Sequence, residues 1–148
     1  MKSILKKLII VLIGVSCFSA CAITDKDKPI TVNQLPAAAQ QMIKKNFPNS
    51  KVAMAKQEND LLKTSYDVVF TNGDKIEFDS KGNWTGINCK NSFVPSALIP
   101  VQIKNYVQQN YPDNKIIEID RDKKEYDVKL SNGIEITFNT KFQVIEMD

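Results

Sequence analysis

YDVVFTNGDKIEFDSK, residues 66–81, returns as YDVKLSNGIEITFNTK at residues 126–141, sixty positions later. Upstream of it, LPAAAQQMIKKNFPNSKV at 35–52 returns as IPVQIKNYVQQNYPDNKI at 99–116, sixty-four positions later. The offsets differ by four, so the second copy is shorter between the two blocks, near residues 59–63. A chain that repeats at this period is two copies of one supersecondary unit.

Each unit opens on a helix. Pro36 and Pro100 stand where proline is tolerated, in the first turn. Ala39, Met42, Ile43 and Phe47 follow at helical spacing in the first copy, and Val101, Ile103, Val107 and Tyr111 in the second. Pro48 and Pro112 stop each helix, and the aromatic before each is expected under the sheet. Strands are predicted at 52–56 and 116–120, then at 63–71 and 125–131. In this second pair Tyr66, Val68 and Phe70, and Tyr126, Val128 and Leu130, alternate with polar residues. Asn72-Gly73 and Asn132-Gly133 predict tight hairpins with positive φ at both central positions. Ile76 and Phe78, and Ile136 and Phe138, return inward. A last turn leads to strands at 84–89 and 144–147. Each unit thus reads as α+β, one helix packed on a four-stranded antiparallel sheet. The linker, 90–98, is short enough that the units must touch and their sheets can run together.

The N-terminus reads as an export signal. Lys2, Lys6 and Lys7 precede an apolar run at 8–15, which ends in Phe-Ser-Ala-Cys at 18–21. The run is too short to span a bilayer, which takes about 20 apolar residues. Residues 1–20 are the expected signal peptide. Two cleavage readings stand: a lipobox with Cys21 as the lipidated residue, or Ala20-Cys21-Ala22 as an ordinary cleavage site. The protein is expected in the periplasm or anchored in the cell envelope as a lipoprotein. Residues 21–33 form a polar tether, 34–89 the first repeat and 99–148 the second.

Charge and composition exclude more than they suggest. The chain has 20 Lys+Arg against 17 Asp+Glu. Three of the lysines and none of the acids lie in residues 1–20, so the remainder is formally neutral. A neutral domain without a basic cluster gives no footprint for nucleic acid. With no histidine, Ser-His-Asp and Cys-His nucleophile pairs are absent, as are His-containing zinc sites. No phosphate-cradling glycine motif occurs. No cofactor, metal or catalytic residue is expected. Asp120 and Asp122 in DRDKKE supply only a fragment of a calcium loop. Arg121, Lys123 and Lys124 oppose a cation there, so the segment reads as a solvated turn. Cys89 reads as a buried, inert thiol; at the surface it would dimerise the protein.

The order of Pro-capped helix, aromatic-Pro stop, Tyr-Asp strand, Asn-Gly turn and Phe-Asp or Phe-Asn turn, given twice, resembles the PepSY-like repeat of exported bacterial proteins. That family is also described as β-lactamase-inhibitor-protein-like. The resemblance covers 35–89 and 99–148. It implies tandem helix-plus-sheet modules at the cell envelope, often lipid-anchored. The inhibitor sharing the fold binds its enzyme through a concave sheet surface spanning two repeats. This chain lacks that inhibitor's disulfide in each repeat, and no inhibitory residue is carried over.

The expected function is therefore non-enzymatic recognition of a protein or peptide partner, inhibitory or regulatory, on the exposed sheet surface. Alternation places Asp67, Val69, Lys75 and Glu77 there in the first copy, and Asp127, Lys129 and Glu135 in the second. Trp84, whose counterpart is Val144, is either inter-repeat packing or an anchor in the partner. The second expectation is a sensor of a small ligand or signal, with a cleft between the repeats.

Overall fold

A computed structural model describes residues 26–148; the expected signal peptide and the lipidation candidate Cys21 lie outside them. The described chain forms nine strands and two α-helices. The strands are β1 (Asp27–Ile30), β2 (Val52–Asp60), β3 (Lys63–Phe70), β4 (Lys75–Asp79), β5 (Trp84–Asn88), β6 (Ile116–Arg121), β7 (Glu125–Leu130), β8 (Glu135–Asn139) and β9 (Val144–Met147). The helices are α1 (Ala37–Asn46), before β2, and α2 (Val101–Asn110), before β6. The fold is α+β as expected, but the strands are not two separate four-stranded units. They form one antiparallel sheet in sequence order, β1 to β9. The repeats are welded where β5 pairs β6, with Gly86 opposite Asp120, Ile87 opposite Ile119 and Asn88 opposite Glu118.

The ninth strand comes from the segment read as a tether. Asp27–Ile30 pairs with β2, with Ile30 opposite Ala55 and Asp27 opposite Glu58. This edge strand has little apolar signal because three of its four residues are exposed. Backbone pairing and Pro29, tolerated at an edge, define it instead.

The helices lie on one face of the sheet. Ala39 and Ile43, four apart on α1, and Ile103 and Val107 on α2 enter a single core with Val68, Phe70, Ile76, Phe78, Ile119, Val128, Leu130, Ile136 and Phe138. Val101, counted with the apolar spacing of α2, is exposed at its first turn. Phe47 is buried and stacks on Phe70 at 5.2 Å, and Tyr106 meets Phe138 edge-on at 5.4 Å. Phe78 and Phe138 are fully buried; truncating either to Ala should cost about 3–5 kcal/mol.

The hairpin turns differ from expectation in one respect. Gly73 has φ +90° and Gly133 +92°, while neither Asn72 nor Asn132 has positive φ. The Gly73 N–H donates to Phe70 O and the Phe70 N–H to Asp74 O. This is a type I turn closed by a left-handed glycine, which needs positive φ at one position instead of two. The next turn repeats the device, with Gly82 at φ +85° in the first copy and Phe142 at φ 60° in the second.

Candidate functional site

The sheet face opposite the helices is open. Pairing registers arrange it as two adjacent rows across both repeats. One row runs Lys56, Asp67, Glu77, Gly86, Asp120, Asp127, Thr137 and Glu146. The other runs Met54, Val69, Lys75, Asn88, Glu118, Lys129 and Glu135. At a strand spacing near 4.8 Å the face is roughly 30 Å wide. Seven of the eight sequence-predicted partner residues fall on these rows: Asp67, Val69, Lys75, Glu77, Asp127, Lys129 and Glu135.

Asp67 corrects the expectation of a solvent-facing carboxylate. It is on the predicted face yet only 5% exposed. Two lysines from neighbouring strands lie over it, Lys75 Nζ at 2.9 Å and Lys56 Nζ at 3.6 Å. Long side chains cover a short one without changing its face. Lys75 also reaches Glu77 at 2.8 Å, and Lys56 reaches Glu58 at 2.5 Å and Asp27 at 3.0 Å. The bond to Glu58 chiefly raises the Lys56 pKa above the ordinary lysine value. Burial opposes such a rise at Lys75, but its bonds to Glu77 and Asp67 outweigh it.

The second repeat inverts this pattern. The positions of Lys56 and Lys75 are held by Asp120 and Glu135, and that of Val69 by Lys129. Asp127 accepts a hydrogen bond from Thr137 Oγ1 at 2.7 Å, and Asp120 is its cross-strand neighbour. Lys129 Nζ pairs with Glu135 at 2.8 Å, a bond that raises its pKa. Gly86 lies between the halves; a Cβ there would collide with the Asp120 carboxylate and lie 3.4 Å from Glu77 Oε2. Sequence reasoning passed over Lys56, Gly86 and Glu118, and weighed Asp120 only as a fragment of a calcium loop. The signal available was the Lys-to-acid change at Lys56/Asp120, visible once the sixty-four-residue offset is applied.

Trp84 is not on this face. It is 7% exposed and belongs to the core. Arg121 lies 3.7 Å from its ring centroid and donates Nε–H to the Trp84 carbonyl at 2.8 Å. Trp84 is on β5 and Arg121 on β6, so the pair clamps the seam between repeats, the packing role weighed for Trp84. Burial lowers the Arg121 pKa.

A second contact at the seam was not legible. Asp74, in the β3–β4 turn, is 2% exposed. It accepts hydrogen bonds from Ser92 Oγ at 2.5 Å, Asn72 Nδ2 at 2.9 Å and the Asn91 N–H at 3.4 Å. The linker is thereby tied to the first repeat. Beside it Cys89 is fully buried; burial, partly offset by Ser92, pushes the thiol up to about 11. That agrees with an inert thiol and removes the surface thiol needed for dimerisation.

Among the described residues, no three Asp, Glu or Cys side chains come together as a group able to hold a metal ion. A groove of about 300 Å³ is lined by Phe93, Val94 and Ser96 of the linker, by Ile99, by Lys104, Val107 and Gln108 of α2, and by Pro112, Asn114, Lys115 and Ile116. It takes no residue from the first repeat, and so differs from the inter-repeat cleft expected of a small-ligand sensor.

The sequence matches the family model of PepSY-like proteins, described as "putative beta-lactamase-inhibitor-like, PepSY-like", over residues 21–61 and 64–146. No curated protein matches it. Three solved structures from Bacteroides resemble it closely. One from Bacteroides vulgatus, "a putative periplasmic protein" of the DUF2874 family, is 61% identical, with TM-score 0.83, covering 84% of this chain and 98% of its own. One from Bacteroides thetaiotaomicron, "a putative calcium-regulated periplasmic protein", is 56% identical with TM-score 0.82 over the same shares. A further "putative periplasmic protein" from B. vulgatus is 43% identical with TM-score 0.78, covering 82% and 98%.

Proposed function

The chain belongs to the PepSY-like, β-lactamase-inhibitor-like family, and from that premise we propose that it is a non-enzymatic binding module of the bacterial cell envelope, recognising a protein or peptide partner on the open face of its sheet. The descriptions of its relatives as periplasmic support export to the periplasm. The observation that carries the proposal is that two polar rows run unbroken across the seam of the repeats, on the face opposite the helices. A face of this kind offers about one charged group per strand, spaced to meet a complementary surface. The lysines of the first repeat are engaged by its own acids, whereas Glu118, Asp120, Asp127 and Glu135 outnumber Lys129 in the second. The matching surface is therefore cationic over β6 to β8, where charge complementarity sets orientation and association rate. Calcium regulation is named for one relative; among the described residues of this chain no three Asp, Glu or Cys side chains form a metal-holding group.

The test is cross-linking in intact cells with tagged full-length chain, followed by quantitative mass spectrometry. Asp127→Lys should lose a stoichiometric partner that Gln102→Lys, exposed on α2, retains. No partner for a folded bait, or loss only with Gln102→Lys, overturns the proposal.

A further inference from the structure

The β2–β3 hairpin ends in an apolar tip that the fold does not require. Asp60 pairs with Lys63, which leaves Leu61 and Leu62 as the two residues of the turn. Leu61 is 96% exposed and Leu62 101%. Leucine has no turn chemistry to recommend it here: it neither favours positive φ nor caps the backbone, unlike the Gly, Asn and Asp that usually fill such turns. The equivalent turn in the second repeat is polar. There the Asp122 carboxylate accepts the Lys124 and Glu125 N–H groups. That hairpin is also shorter, with six residues in each of β6 and β7 against nine in β2 and eight in β3. The four residues by which the copies differ are therefore this projection.

The tip also marks where the rest of the chain enters. Lys26, the first described residue, lies beside it: its carbonyl accepts the Asn59 N–H at 2.9 Å and its Nζ is 3.7 Å from Asp60. Cys21, the lipidation candidate of one of the two cleavage readings, is five residues earlier, at most about 17 Å of extended chain. Asp60 precedes Leu61 and Lys63 follows Leu62, both exposed, so the tip is apolar between one charge of each sign. Two bare leucines, at the end of the domain from which the upstream chain leaves, have the make-up of a small interfacial anchor. Such anchors bury apolar side chains at the headgroup boundary.

We propose that Leu61 and Leu62 seat the domain on a phospholipid surface, inserting the hairpin tip at the headgroup boundary. This orients the strands toward the bilayer and leaves the open sheet face free along its side. The inference is independent of the partner proposed for that face.

Full-length protein, purified as cells produce it, is mixed with vesicles of phosphatidylethanolamine and phosphatidylglycerol at three to one. Leu62→Trp reports the tip; Asn132→Trp reports the β7–β8 turn, at the other end of the strands. Wild-type emission, from buried Trp84, is subtracted. Leu62→Trp should shift to the blue and be quenched by brominated lipid, with Asn132→Trp unaffected. In the wild-type background, Leu61→Ser with Leu62→Ser should restore access of an aqueous quencher to a Trp placed at Lys63. Equal quenching of the two reporters overturns the proposal. So does a Leu62→Trp that is shielded before any lipid is added, which would assign the tip to a second copy or another protein.

Discussion

Gly82→Ala tests how the helix is seated on the first repeat. Gly82 has φ +85°, and a Cβ built on it would lie 2.8 Å from Pro36 Cβ and 2.9 Å from the Ala39 backbone nitrogen. Two costs follow. The left-handed conformation costs an alanine about 1–2 kcal/mol. Both contacts are shorter than real Cβ atoms show, and they fall on the rigid proline ring before α1 and on the backbone of its first turn, not on the end of a flexible side chain. Moving them is overpacking, which costs about 1–3 kcal/mol. The sum is about 2–5 kcal/mol, a large part of the stability of a domain this size. Gly133→Ala is the control, because Gly133 has φ +92° and nothing within 4 Å of its Cβ position. It should carry the conformational cost alone. Thermal and urea unfolding followed by circular dichroism give both values. The difference, about 1–3 kcal/mol, is the steric contribution of α1. Equal destabilisation of the two variants would refute the close approach of helix and turn.

Two further outcomes follow from titratable groups. Lys75→Met strips Asp67 of its nearest cation and should cost about 1–3 kcal/mol, less than a fully buried pair because the lysine is partly solvated; since the folded state raises the Lys75 pKa, its contribution is whole below about 10.4 and lost as pH rises through the folded value, so urea titrations of wild type and variant should converge in alkali. Cys89 should resist a disulfide reagent at pH 8 until the protein unfolds, and with its thiol raised to about 11 wild-type stability should fall as pH climbs from about 9 to about 11, a slope that Cys89→Ala removes.

What could be read from sequence was what is local. Pro36, Pro48, Asn72-Gly73 and the alternation through Val68 and Phe70 each act on a few neighbouring residues, and helix, stop, turn and core face all stand where they were expected. Pairing between distant segments was harder to read. The β5–β6 ladder joins residues separated by the linker and α2, and no pattern in 84–88 distinguishes an inner strand from an edge. β1 went unseen for a related reason: its backbone hydrogen bonds carry it, and only Ile30 contributes apolar surface. At the candidate site, alternation gave the face of Asp67 but not its depth, because depth depends on which long side chains arrive from adjacent strands. The buried Asp74 was hidden by a familiar turn motif, although its counterpart, Ile134, marks it as an exception.

The differences between the copies therefore divide into two kinds. Trp84 against Val144 has a structural cause: β5 is an inner strand at the seam, where Arg121 covers the indole, while β9 lies at the edge of the sheet formed by the described residues. Asp74 against Ile134 also has one, since only the first of the two turns receives the linker at Asn91 and Ser92. Lys56 against Asp120 and Lys75 against Glu135 are not dictated by the backbone, although Lys129, in the place of Val69, pairs with Glu135. The backbone ladders at these positions hold with either sign of charge, and the neighbouring acids at Asp67 and Asp127 are the same in both copies. A scaffold selected for stability alone would keep lysines beside Asp127 as it does beside Asp67. Replacing both lysines with acids in one repeat spends local electrostatic stability and makes the two halves of one continuous face unlike in charge. That asymmetry, laid across a seam that holds the halves in fixed register, is what a surface needs to bind a partner in one orientation.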